Sequence, residues 1–206
     1  MTKRNQTLKD RRSEAGLAKS LVTVIGGLAV LNGLAGVFVL LSGHWLFTNG
    51  DARRPTIAEL PQSDFTFVEG QTVYLTDLPL WIRLVFALPG SLLTLIYLVS
   101  ALSVRRLVIQ IGRGEPFSVR ARRSLAALSL TLLSGSLLDL IITFTLEHSM
   151  PEQITAHLHG QGIQLASFSH GPNWHVMLLV LGAISSALLA AFSDGARLRE
   201  EAEGVV

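Results

Sequence analysis

The chain has 206 residues, of which 49% are hydrophobic and only 16% charged, with a mean hydropathy of +0.46; an average soluble domain carries about 25% charged residues. Four apolar blocks take up most of the length, which excludes a separate soluble domain of ordinary size, and the absence of cysteine excludes disulfides, thiolate metal sites and thiol nucleophiles. The sequence pI of 9.4 rests on a net charge of only +2, with the basic residues clustered beside apolar segments, a pattern of membrane orientation; no direct nucleic-acid binding is expected.

The first element is a basic leader with Lys3, Arg4, Lys9, Arg11, Arg12 and Lys19, followed by an uncharged apolar run over 20–50. A secretory signal has an apolar region of about 7 to 15 residues, so this longer run reads as an uncleaved first span. Residues 84–104 and 176–193 are also free of Asp, Glu, Lys and Arg, and 124–146 contains only Asp139. Each is long enough for the roughly 20 apolar residues that cross a bilayer. The expected architecture is a single integral membrane domain over 1–206, an all-α antiparallel bundle of four transmembrane helices at about 20–47, 80–111, 119–147 and 173–200.

Basic residues near span ends mark the cytoplasmic side. Six lie in the leader, six between 105 and 123, and two, Arg197 and Arg199, in the tail, fourteen of the 17 in all, whereas Arg53, Arg54 and Arg83 fall in the other two loops. Both termini are therefore expected in the cytoplasm of a cell-membrane protein. Trp45, Trp81 and Trp174 stand at the span ends assigned to the outer face, where indole favours the interface.

The external loops, 48–79 and 148–172, alternate in a strand-like way. Phe65 to Val68 and Thr72 to Leu75 flank Glu69-Gly70-Gln71, while 154–159 and 163–168 flank Gly160-Gln161-Gly162. Each loop is expected to fold as a hairpin, the two together making a small extracytoplasmic β-hairpin cap. Inside, Gly112-Arg113-Gly114-Glu115-Pro116-Phe117-Ser118 interrupts two helices: glycine suits a left-handed helix end, proline cannot continue a helix, and Ser118 can cap the next one.

Stripes of small residues follow helical spacing at Gly26, Ala29, Gly33 and Gly36, at Ala127, Thr131 and Gly135, and at Gly182, Ser186 and Ala190. They are expected to pack the monomer, with a homo-oligomer face as the rival reading. Asp139, the one ionisable group well inside a span, costs at least about 2.5 kcal/mol unpaired; a contact with Arg83 is expected to lock spans two and three, with Asn32 as the other candidate partner. The rival for Asp139 is a proton or cation site. All six histidines, His44, His148, His157, His159, His170 and His175, lie in or beside the outer loops. On a strand His157 and His159 share a face, a weak metal candidate beside Glu147 and Glu152; a pH-sensing cap is the other reading. No recognised zinc spacing, phosphate loop, nucleophile elbow, HExxH or useful carboxylate pair is present, so no cofactor, metal or catalytic residue is assigned.

Two segments carry a resemblance. Ile109-Gln110-Ile111-Gly112-Arg113-Gly114-Glu115-Pro116-Phe117-Ser118, with its Gly-x-Pro-Phe-Ser pattern, and Ala191-Phe192-Ser193-Asp194-Gly195-Ala196-Arg197-Leu198, with Phe192, Gly195 and Leu198 as Phe-x-x-Gly-x-x-Leu, resemble a bacterial four-helix membrane protein family catalogued as domain of unknown function 2975. The similarity in layout covers most of the chain from span one onward; the short apolar segment with which family members tend to end is reduced here to a trace at Glu203-Gly204-Val205-Val206. Genes of that family often neighbour a small helix-turn-helix regulator, so the resemblance implies a membrane partner for a transcription factor and no catalytic residues. The function expected is non-enzymatic and sensory or regulatory; the rivals are a small transporter or channel subunit and a passive assembly partner.

Overall fold

The computed structural model describes residues 2–46, 54–57, 63–67, 72–159, 165–170 and 174–204. In chain order they form α1 (Thr2–Ser42), β1 (Ser63–Phe67), a 3-10 turn (Leu75–Asp77), α2 (Leu80–Gly112), α3 (Val119–His159), β2 (Leu165–His170) and α4 (Trp174–Gly204). Four helical segments, Gly16–Ser42, Leu80–Gly112, Val119–His159 and His175–Ala202, are long and apolar enough to cross a membrane. The chain is a multi-pass membrane protein built as a helical bundle.

All four helices are longer than a hydrocarbon core, α1 and α3 most of all. At 1.5 Å per residue, the 41 residues of α1 and of α3 measure about 60 Å each, twice a hydrocarbon core of about 30 Å. In α1 the surplus is the basic leader, which is helical from Thr2. In α3 it is the segment after Leu146, and here the sequence expectation fails. Residues 154–159, read as a strand, are the last turns of α3. A stripe at every fourth residue, Leu146, Met150, Ile154 and Leu158, is buried at 7% exposure or less, and that helical period outweighs the local alternation of Ile154 to His159. Pro151 lies inside the helix and does not end it.

The expected β-hairpin cap is therefore not seen. Among the described residues Thr72 to Leu75 makes no hairpin strand with Phe65 to Phe67; instead Ile57 N–H donates to the Val73 carbonyl at 3.0 Å and Leu75 N–H to the Pro55 carbonyl at 2.9 Å, around a bridge between Thr56 and Tyr74; Val68 lies outside the described residues. Among the described residues the remaining β pairing joins β1 to β2 antiparallel, one short strand from each loop, from Ser63 opposite His170 to an irregularity between Thr66 and Phe67. The turns at Gly70 and Gly160-Gln161-Gly162 lie outside the described residues.

The molecule divides into two compact units. One holds residues 31–94 and 136–176. Its core is the α3 stripe packed with Ile57, Val73, Leu75, Leu78, Ile82 and Phe86. These side chains come from the 55–78 segment and the first turns of α2, so the end of α3 is held by burial of apolar area rather than by lipid. In the same unit α1 meets α2 where Gly33 lies against the Thr94 side chain.

The other unit holds residues 1–30, 95–135 and 177–206. Its helices meet at small residues. A Cβ on Gly26 would lie 2.5 Å from that of Ala101, one on Gly135 2.5 Å from Ile96 Cδ1, and one on Gly182 2.8 Å from Leu133 Cδ2. Ser129 and Ser186 share a hydroxyl hydrogen bond of 2.5 Å between α3 and α4. Lipid supplies no hydrophobic drive between helices, so close backbone approach and such polar contacts carry the association. Gly26, Gly33, Gly135, Gly182 and Ser186 thus pack the monomer, while Gly36, with nothing within 4 Å of its Cβ position, does not.

Gly33→Leu, which must displace Thr94, is expected to cost about 1–3 kcal/mol by overpacking and to lower the thermal midpoint in detergent. Gly27→Leu, at an exposed position with open space around it, is expected to leave the midpoint unchanged.

Candidate functional site

Every helix end leaves backbone groups without intrahelical partners, carbonyls at the C-terminus and N–H groups at the N-terminus, and these give the end a partial charge. At the C-terminus of α1, Gly43 turns the chain at φ +72°, and its N–H donates to the Val39 carbonyl at 2.8 Å. Arg83, from the first turn of α2, donates from Nη1 to the Leu41 carbonyl at 3.0 Å. The guanidinium therefore faces the negative end of α1. Gly43 makes room for it: a Cβ there would lie 3.3 Å from Arg83 Nη1 and 2.8 Å from Thr76 Cγ2.

Asp139 sits in the converse place. It is 4% exposed, and its Oδ2 lies 3.7 Å from Nδ1 of His175, the second residue of α4. Ser136, one turn earlier on the same face of α3, donates its hydroxyl to the His175 carbonyl at 2.6 Å. Two buried side chains of α3 thus hold one residue in the first turn of α4, where the positive end of the helix favours a carboxylate. Arg83, expected as the partner of Asp139, donates to a main-chain carbonyl of α1, and the side chain found beside the Asp139 carboxylate is His175 of α4. Asn32, the other expected partner, is exposed.

The two sequence motifs meet. α2 ends at Gly112 and Gly114 has φ +78°; its N–H donates to the Ile111 carbonyl at 2.9 Å and that of Glu115 to the Gln110 carbonyl at 3.1 Å. After Pro116, Ser118 Oγ accepts from Ala121 N–H at 3.3 Å, the capping bond that opens α3. Phe117 packs on Phe192 with ring centroids 5.6 Å apart and an interplanar angle of 55°. A Cβ on Gly195 would lie 2.7 Å from Phe117 Cε1, so this glycine is the notch into which the ring fits. Leu198 is 63% exposed and takes no part in the lock.

Among the described residues the histidines do not form a metal-holding cluster. On a helix His157 and His159 are about 200° apart rather than on one strand face. His157 Nε2 lies 3.3 Å from the Asp77 carbonyl, and His148 stacks on Phe144 at 4.1 Å. Among the described residues no group of three or more His, Cys, Asp or Glu side chains is placed to hold a metal; the His170 side chain lies outside what the structure describes. The pairing of His175 with Asp139 gave no signal in the sequence, since the 35 residues between them conceal it.

Gly43→Ala, which puts a side chain into a left-handed conformation beside Arg83, is expected to cost about 1–3 kcal/mol in a detergent unfolding titration. Gly195→Leu is expected to expel Phe117 and to speed limited proteolysis at residues 112–118, whereas Leu198→Ala leaves the cleavage rate unchanged.

Comparison of the chain with protein-family models, with curated proteins and with solved structures gives no match, so its arrangement is known from its own residues: a multi-pass membrane protein in which Arg83 donates to the carbonyl end of α1 and Asp139 lies beside His175 of α4.

Proposed function

We propose that this is a non-enzymatic sensory or regulatory protein of the cell membrane. Both termini and the Gly112 to Ser118 turn lie in the cytoplasm, and the core around Ile57, Leu75, Ile154 and Leu158 lies outside. The distribution of basic residues supports this orientation. The observation that carries the reading is α3. One uninterrupted helix begins beside the motif turn at Ser118 and ends in a packed apolar core at Leu158, about 60 Å of chain. No loop interrupts it between the two. The turn itself is clamped to α4 by Phe117, Phe192 and Gly195, so its surface is a defined one for a cytoplasmic partner to read. The resemblance to a family with helix-turn-helix neighbours supports a transcriptional regulator as that partner.

Fusions at either terminus are expected to report a cytoplasmic location, and affinity purification from membranes is expected to bring down a DNA-binding protein whose recovery falls in the Gly195→Leu variant. Recovery of only stoichiometric membrane subunits would favour a passive assembly partner instead. The rival transporter reading draws on one observation, the carboxylate and imidazole of Asp139 and His175 inside the bundle. It requires proton or cation flux in liposomes that disappears in Asp139→Asn; the regulatory reading expects no flux in either form.

A further inference from the structure

Of the four spans α1 is the least enclosed, and nearly all that it exposes suits lipid. Leu21, Ile25, Leu28, Leu31, Leu34 and Phe38 are large apolar side chains. Asn32 is different. It is exposed on the helix surface and lies ten residues before the end of α1 at Ser42, about 15 Å down the helix, which is the middle of a hydrocarbon core of about 30 Å. An asparagine side chain is too short to reach the interface from there. Its carboxamide carries two N–H donors and a carbonyl acceptor, and among the described residues none of them is hydrogen-bonded. Hydrocarbon offers no substitute partner.

The helix defines the flank. At 100° per residue, Ile25, Leu28 and Gly36 lie within about 40° of Asn32, whereas Gly26 and Gly33, which pack on Ala101 and Thr94, are rotated away by about 100° or more. Gly36 has open space around its Cβ position and stands one turn from Asn32, so a second helix can approach the backbone there. A carboxamide is complementary to itself. A twofold axis that passes beside it pairs donor with acceptor in both directions, and an isologous contact closes after two copies.

We propose that α1 is a homodimerisation helix, in which Asn32 of one copy hydrogen-bonds Asn32 of the second and Gly36 sets the close approach. The orientation and the regulatory reading are not needed for it.

The chain lacks cysteine, so single-cysteine variants of the full-length protein report the contact directly in native membranes. Mild oxidation is expected to convert Ile25→Cys into a disulfide-linked dimer and to leave Leu34→Cys, about 160° round the helix from Asn32, monomeric. Adding Asn32→Leu to Ile25→Cys is expected to lower the linked fraction as a roughly tenfold weaker association does, while Asn32→Gln retains it. The thermal midpoint of the detergent-solubilised monomer is expected to stay unchanged in Asn32→Leu. The proposal is overturned by equal linkage at both cysteines, by none at Ile25→Cys, or by linkage indifferent to Asn32→Leu. A conjugate with a different protein overturns it too, as does a fall in monomer stability in Asn32→Leu, which would place the amide's partner within its own chain.

Discussion

Hydrocarbon tolerates a carboxylate or a guanidinium only where something of opposite polarity meets it, and in this chain Arg83 meets a carbonyl at the end of a helix and Asp139 the ring of a histidine in the first turn of another. Arg83 closes the carbonyl end of α1 at Leu41. Asp139 approaches the first turn of α4 at His175. Arg83 answers the negative end of a helix macrodipole, Asp139 a histidine ring, and each brings one helix to another: α2 to α1, and α3 to α4. Removing Arg83 leaves a helix-end carbonyl poorly satisfied as well as deleting a contact, so these side chains add to the apolar core in the unit of residues 31–94 and 136–176.

Small residues do the corresponding work along the spans. The glycines at 26, 33, 135 and 182 are positions where a methyl group has no place to go without moving a neighbour. The same economy operates at the motif turn. Phe117 needs the notch at Gly195, so a segment of the 112–118 turn and a segment of α4 more than seventy residues later form one structural piece. That linkage gives the two sequence patterns a shared physical reason: one supplies a ring and the other the space for it. The long α3 joins this logic to burial of a different kind, since its final turns are held by Ile57, Val73, Leu75 and Leu78 rather than by helix contacts within a bilayer.

How far the chain could be read in advance follows from the range of each interaction. The four apolar helices were legible because hydropathy and length are local properties. So were the left-handed Gly114 and the Ser118 cap, which depend on a few adjacent residues. The end of α3 departs from expectation because the six-residue alternation over 154–159 is local, whereas the fourfold stripe from Leu146 to Leu158 becomes visible only in a longer window. The loops were assigned hairpins by their glycine turns, yet Thr72 to Leu75 was claimed by Pro55 and Ile57, and a turn signal cannot reveal a competing partner. Asp139 and Arg83 were recognised as residues needing company, but their partners, a histidine side chain and a main-chain carbonyl on other helices, are fixed by packing and leave no spacing in the sequence. Asn32 is expected from the sequence as the other candidate partner of Asp139; the exposure of its flank is a property of the assembled bundle.

The account stands or falls on whether Arg83 and Asp139 act separately on two helix ends or together as one ion pair. A double-mutant cycle with Arg83→Met and Asp139→Asn, followed by reversible unfolding in mixed micelles, decides it. Independent capping predicts that each single variant loses about 1–3 kcal/mol and that the double variant loses their sum to within about 0.5 kcal/mol. A double variant no less stable than the worse single one, with a coupling of about 1 kcal/mol or more, would mean that the two charges answer each other and would contradict the arrangement described.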